Sequence, residues 1–349
     1  MISPLITIAQ ALVAPGKGLL AMDESVGTCN RRLAEFGIAQ TEDARRRYRA
    51  LLVTAPGLSE AISGAILFDE TLGQATLDGL PFVDVLHEAG IVVGIKVDTG
   101  AKALAGHPGE KVTEGLDGLR ERLAHYASLG ARFAKWRAVL SIGDGLPSRA
   151  CILVNAHALA RYAALCQEVG LVPIVEPEVL MEGEHTLAHC SDVSSEVLHQ
   201  VFKQLHNQGV ALDAMILKPN MVLPGLSSDV AASLDDVADA TLNCLLRTVP
   251  AAVAGVAFLS GGQPAVLATA RLNAMQRRNH ASGSTSPVFP WPLSFSFGRA
   301  LQQPALRLWA GNDAHRTLAQ NALLHRARCN GAAARGEYRA AMETEGLSP

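Results

Sequence analysis

Apolar and polar positions fall in alternating blocks along the chain. Short, nearly unbroken apolar runs occupy residues 18–23, 64–68, 91–98, 132–140, 171–178, 214–219, 254–260 and 293–298. Between them lie longer stretches whose apolar residues recur every three or four positions, as at 42–54, 118–129, 155–169, 195–208 and 234–247. A run that is apolar on both faces fits a strand covered on both sides, and a 3.6-residue period fits an amphipathic helix. Strand, helix, strand without a break in composition predicts a parallel sheet. Eight such units predict an α/β fold of the (β/α)8 TIM-barrel type rather than an open doubly wound sheet. At about 150 residues per domain the length would allow two domains, but no Gly-, Ser- or Pro-rich linker divides the chain. The organisation expected is one barrel domain over residues 1–335 and a loosely ordered tail over 336–349.

Several of the predicted strands end in ionisable residues. Asp23 closes the first, Lys96 and Asp98 the third, Glu176 and Glu178 the fifth and Lys218 the sixth, while Lys135 and Arg137 sit in the fourth. Residues two apart on a strand face the same side, so Lys96 with Asp98, Lys135 with Arg137, and Glu176 with Glu178 form one-sided pairs. The C-terminal ends of barrel strands converge on one mouth, where the active sites of this fold lie. A single pair of this kind reads as a solvated strand end. Five strands ending this way gather lysines and carboxylates in one cleft, at a cost on the order of several kcal/mol for each poorly paired ion. Such a cluster points to chemistry. Roughly one free lysine in 2,500 is neutral at pH 7. Lys96, Lys135 and Arg137 are expected to supply a cationic field that makes Lys218 a nucleophile. A neutral lysine adds to a ketone to give an imine, and the iminium draws electrons from a breaking carbon–carbon bond without a metal.

Leu259-Ser260-Gly261-Gly262-Gln263 follows the seventh run and precedes a helical stretch. Glycines there let backbone N–H groups approach an anion, and the loops after strands seven and eight of a barrel often hold phosphate. Gly298 and Arg299, after the eighth run, are expected to complete that site with a fork of donors. The same five letters mark ABC-type ATPases, but the required G-x-x-x-x-G-K-[ST] motif is absent from the chain. Ser25, Gly27 and Thr28, with Arg31 and Arg32 beyond, read either as a second anion site or as a helix N-cap beside solvated arginines.

Composition narrows the classes further. Hydrophobic residues make up 49% and charged residues 18%, enough for a large core, and the net charge is −3. Neither nucleic acid nor an anionic membrane is an expected partner. The most apolar stretch, 249–259, holds Pro250 and Gly255 and falls short of the ~20 residues needed to span a bilayer. The six scattered cysteines form no C-x-x-C pair and read as free thiols, and the chain shows no signal peptide, so a cytoplasmic protein is expected. His185 and His189, with Cys190, are the one metal-like spacing, and would support a metal-dependent form of carbon–carbon cleavage; solvated histidines are the plainer reading. Arg45, Arg46, Arg47 and Arg49 read as a solvated helix face, or as a contact for an acidic partner.

The segments GKGLLAMDES, GAILFDETL, VVGIKVD, FAKWRAVL, VPIVEPE, LKPNM, FLSGGQ and LSFSFGRAL occur in order across roughly residues 3–311. Together they resemble the class I fructose-bisphosphate aldolases; residues beyond 311 match little. The resemblance implies a Schiff-base lysine at Lys218, and a general acid/base at Glu176. It also implies that Asp23 and Lys135 assist proton transfer and cleavage, supported by Glu178. Ser260, Gly261, Gly262, Ser296, Gly298 and Arg299 match the family's site for the first phosphate. Ser25, Thr28, Arg32 and Lys96 match residues near the second, with Arg137 close by. It further implies phosphorylated ketose and triose substrates, no cofactor, no metal, and a homo-oligomer, commonly a tetramer. The family's animal and plant members end in a catalytic tyrosine. Here the last tyrosine is Tyr338 and the chain closes Gly346-Leu347-Ser348-Pro349, which leaves Glu343 and Glu345 as the ordinary proton carriers of the tail. Thr28 and Phe297 stand where the family often has serine and tyrosine. A phosphosugar-binding scaffold on the same barrel is the non-enzymatic alternative, and intact Lys218 and Glu176 argue against it.

Overall fold

The computed structural model describes residues 2–280 and 289–344. In chain order the strands are β1 (Gly18–Ala21), β2 (Ile62–Leu67), β3 (Val92–Lys96), β4 (Gly100–Ala103), β5 (Lys111–Glu114), β6 (Phe133–Leu140), β7 (Val172–Val179), β8 (Ile216–Leu217), β9 (Gly255–Phe258) and β10 (Leu293–Phe297). Eight of them close a barrel in the order β1-β2-β3-β6-β7-β8-β9-β10, with all neighbours parallel. This is the (β/α)8 TIM-barrel architecture. Each of the eight apolar runs carries one barrel strand. β4 and β5 form an antiparallel hairpin outside the barrel that the apolar pattern did not indicate.

The two-residue period of the strands stacks the barrel interior in layers. Leu19, Ala21, Ile66, Phe133, Val172, Ile174, Ala214, Ile216 and Ala257 fill its lower part, closed from below by Leu5, Ala9 and Leu12 of the helix Ile2–Leu12. Two residues further along each chain the same face turns ionic: Ala21 leads to Asp23, Phe133 to Lys135, Ile174 to Glu176 and Ile216 to Lys218. Close packing below needs small strand residues. A Cβ on Gly94 would lie 2.2 Å from the Phe133 ring, so only glycine fits there. The outer helices begin where the sequence supplies caps, with Thr41, Ser148, Thr186 and Ser233 each accepting a backbone N–H.

Three expectations need correction. The arginine run is not a solvated face. Arg49 is 2% exposed against Glu24, and Arg45 forks onto Glu70 and reaches Asn30. Arg46 and Arg47 do reach surface carboxylates, Asp43 and Asp313. His185 is not solvated either. It is buried ahead of the helix Leu187–Asn207 that carries exposed His189, and its carbonyl accepts from Gly225 N at 2.8 Å. Residues 336–344, expected to be loosely held, are tied down. Tyr338 is buried, its N–H meets Asn273 Oδ1 at 3.0 Å, and Glu343 pairs with Arg326 and accepts from Tyr338 Oη at 2.7 Å. Glu343 is therefore no freely moving proton carrier, while Glu345 and residues 346–349 lie outside the described residues. All six cysteines are buried. Among the described residues no helix is long and apolar enough to cross a membrane.

Candidate active site

At the C-terminal mouth of the barrel one ionic chain joins four strand ends. Lys218 Nζ lies 3.2 Å from Glu176 Oε1, Glu176 Oε2 lies 3.3 Å from Lys135 Nζ, and Lys135 Nζ lies 2.6 Å from Asp23 Oδ2. Lys135, Glu176 and Lys218 are each 3% exposed. Two further pairs flank the chain. Lys96 Nζ meets Asp98 Oδ1 at 2.6 Å, and Arg137 bonds Glu178. Asp98 Oδ2 also accepts the Arg137 backbone N–H at 3.2 Å, which locks β6 to the segment following β3.

The electrostatics follow from this alternation. Burial works against the Glu176 carboxylate, but Lys135, Lys218 and Arg137 outweigh it and hold its pKa below the usual carboxylate range. Asp23 is held well below that range in the same way by Lys135, Lys218 and Lys96. Burial likewise penalises the Lys135 ammonium, and Asp23, Glu176 and Asp98 more than restore it, so its pKa is raised. Lys135 is thus a fixed cation between two fixed anions. The sequence suggested that Lys96, Lys135 and Arg137 would press on Lys218 with unbalanced charge. Each instead has its own carboxylate partner, and Lys218 itself faces Glu176.

The expected anion-binding residues divide between two places. Gly261 and Gly262 adopt φ of +55° and +85°, a turn that glycine makes without strain. That turn stands beside Glu178, whose Oε1 would lie 3.9 Å from a Cβ on Gly261. Ser260 and Ser296 are buried, and Ser296 Oγ has no hydrogen-bond partner among the described residues. On the other side a cleft of about 210 Å³ is lined by Thr28, Arg31, Arg32, Arg299, Gln302 and Gln303 among others. Arg299 therefore stands with Thr28 and Arg32, and makes no hydrogen bond to the Ser260–Gly262 turn it was expected to complete. Ser25 does cap the helix Val26–Ala34, accepting from Thr28 N at 3.4 Å, and Thr28 Oγ1 accepts from Arg31 at 3.1 Å.

Glu24 escaped the sequence reading. Its carboxylate is buried among Arg49 at 2.5 Å, Arg32, and Gln302 Nε2 at 2.9 Å, and so fixes the back wall of the cleft. Its position between Asp23 and Ser25 was the one available signal. Among the described residues one group of three atoms has metal-ligand spacing, His325, Cys329 and Glu343. It includes neither His185 nor His189, and its carboxylate is already engaged by Arg326 and Tyr338.

Comparison with known proteins agrees with this geometry. A family model described as "Glycolytic: Fructose-bisphosphate aldolase class-I" matches residues 4–348, well past the point where the motifs thin out. A probable class 1 fructose-bisphosphate aldolase of Xanthomonas axonopodis is 54% identical over 97% of this chain and 99% of its own. The cytoplasmic isozyme of Cicer arietinum is 51% identical over 96% of this chain and 91% of its own. A solved fructose-bisphosphate aldolase of Plasmodium falciparum superposes with a TM-score of 0.94 at 44% identity, covering 97% of this chain and 96% of that one. Likeness of this extent, in sequence and in backbone, assigns the chain to the class I fructose-bisphosphate aldolases, and its activity is that of an aldehyde-lyase.

Proposed function

We propose that the protein cleaves fructose 1,6-bisphosphate reversibly to dihydroxyacetone phosphate and glyceraldehyde 3-phosphate through an imine on Lys218, with no metal in the reaction. The observation that carries this reading is the 3.2 Å approach of a buried lysine to an ionised, equally buried Glu176. Glu176 takes a proton from Lys218, and the neutral amine adds to the C2 carbonyl. Glu176 returns the proton to the carbinolamine hydroxyl, which leaves as water, and the iminium remains. A carboxylate of the Asp23–Glu176 set then removes the C4 hydroxyl proton. The C3–C4 bond breaks, its electron pair moves into the iminium to give an enamine, and C4 departs as the aldehyde. Protonation at C3 and hydrolysis return Lys218. Lys135 holds the two carboxylates apart and favours their ionised form between these proton transfers. With Glu343 held by Arg326 and Tyr338, the C3 proton comes from a group fixed in the barrel or from the bound phosphate.

The Ser260–Gly262 turn, with Ser296 and Gly298, receives the C1 phosphate. Ser296 Oγ is a buried donor free for an incoming oxygen. The cleft of Thr28, Arg32 and Arg299 receives the C6 phosphate, and the family resemblance adds Ser25 and Lys96 to it, with Arg137 close by. Relatives named as cytoplasmic and cytosolic isozymes support a cytoplasmic location, and the family resemblance supports a homo-oligomer.

Borohydride added with dihydroxyacetone phosphate is expected to leave a reduced adduct on the Lys218 peptide, read by mass spectrometry. An adduct confined to Lys96 or Lys135 would overturn the assignment. Cleavage is also expected to survive excess EDTA unchanged. Activity lost to EDTA and restored by zinc would return the metal-dependent reading.

A further inference from the structure

Arg271 is a buried cation without a counter-ion among the described residues. It lies on the helix Ala265–His280 and is 8% exposed. Its Nη1 donates to Gln263 Oε1 at 2.7 Å, its Nε has no partner, and no carboxylate among the described residues pairs with it. Burial pushes its pKa down with nothing opposing. An unpaired ion is costly to bury, so a fold that keeps one there is using its charge or its bonding.

The surroundings say which neighbours it serves. Gln263 is 4% exposed and ends the Ser260–Gly262 turn, with its N–H on Ser260 O at 3.0 Å. The Gln263 amide reaches Met221 Sδ at 3.7 Å, three residues beyond Lys218. Leu259 N donates to Pro219 O at 3.1 Å. One relay, Arg271 to Gln263 to Met221, therefore ties the turn after β9 to the segment after β8 that carries Lys218.

We propose that Arg271 is a positioning residue for the C1 phosphate: it locks Gln263 so that the Ser260–Gly262 turn is preset for an anion, and its uncompensated charge favours a dianion there. This rests on the reading that the turn takes that phosphate. The same relay keeps the phosphate and the attacking lysine in register.

Arg271→Ala is expected to raise KM, and the inhibition constant of inorganic phosphate, by roughly tenfold, the low end for a hydrogen bond to a charged group. The value of kcat stays within about threefold, and Arg271→Lys recovers most of the loss. Gln263→Glu neutralises the guanidinium in place and tests the charge even if Arg271→Ala folds poorly. It is expected to weaken phosphate at least about fivefold, with the melting temperature held or raised by the new buried pair. Unchanged phosphate inhibition in either variant overturns the proposal, as does an equal fall in kcat and kcat/KM. Borohydride trapping at Lys218 is run in parallel. If it fails in the unmodified protein, the imine reading fails and the Arg271 result is judged on phosphate inhibition alone.

Discussion

Lys218→Ala is expected to abolish cleavage, with kcat down at least about 10⁴-fold, the scale seen when the nucleophile of a covalent mechanism is removed. The expectation follows from what remains. Without Nζ no imine forms, and Lys135 cannot substitute, since it is held between Asp23 and Glu176 with its pKa raised. The residues proposed to hold both phosphates are untouched, so calorimetry should give fructose 1,6-bisphosphate affinity within about a factor of ten of the parent, less only the energy of the imine. Stability must be checked beside it, because a buried carboxylate loses one partner. Glu176 keeps Lys135 at 3.3 Å, so the cost should fall below the ~3–5 kcal/mol of a pair broken outright. A folded Lys218→Ala protein retaining more than about one hundredth of parental kcat would rule out Lys218 as the covalent group.

The barrel could be read from sequence because its strands are buried on both faces. Such strands are apolar throughout, and eight of them in sequence leave few other architectures. The ionic cluster at the mouth could be read for the opposite reason. Asp23, Lys96, Lys135, Glu176 and Lys218 interrupt or end apolar runs where no local rule asks for a charge. The β4–β5 hairpin stayed hidden because the residue it buries fully, Thr113, is polar and no apolar run marks it. Gly100–Ala103 and Lys111–Glu114 are short, partly exposed and rich in charge, so neither two-residue alternation nor apolar run length marks them. Arg45, Arg49 and His185 were misjudged for a different reason. Their burial depends on partners far along the chain, Glu70 and Glu24 for the arginines and the Gly225 turn for the histidine. Periodicity within a helix carries no such information. The same limit applies to Lys218. Sequence placed cations near it, and only the fold showed that each cation already has an anion.

Lys135→Met should separate the electrostatic role of that lysine from its packing, since the apolar stem is kept and the charge removed. Activity is expected to fall by roughly 10²–10⁴-fold, the range for a lost acid–base partner, because Asp23 and Glu176 would lose the cation that keeps both ionised. Stability at pH 7 should fall by about 3–5 kcal/mol. The pH dependence gives the sharper test. In the parent, the pKa values of Asp23 and Glu176 are depressed on folding. Their contribution is therefore complete above the unfolded values, about 3.9 and 4.3, and is lost as pH falls through the folded ones. Lys135 has a raised pKa on folding, so its own contribution is complete throughout the acid and neutral range and lost only at high pH. In Lys135→Met both carboxylates lose their nearest cation, so burial weighs more heavily against their charged forms and their pKa values rise relative to the parent's. The variant should resist mild acid better, in relative terms, than the parent does. Urea melts at pH 7, 5 and 4 should show the gap between the two proteins narrowing as pH falls. A gap that stays constant across this range would mean that the charge of Lys135 does not hold Asp23 and Glu176 in their ionised forms.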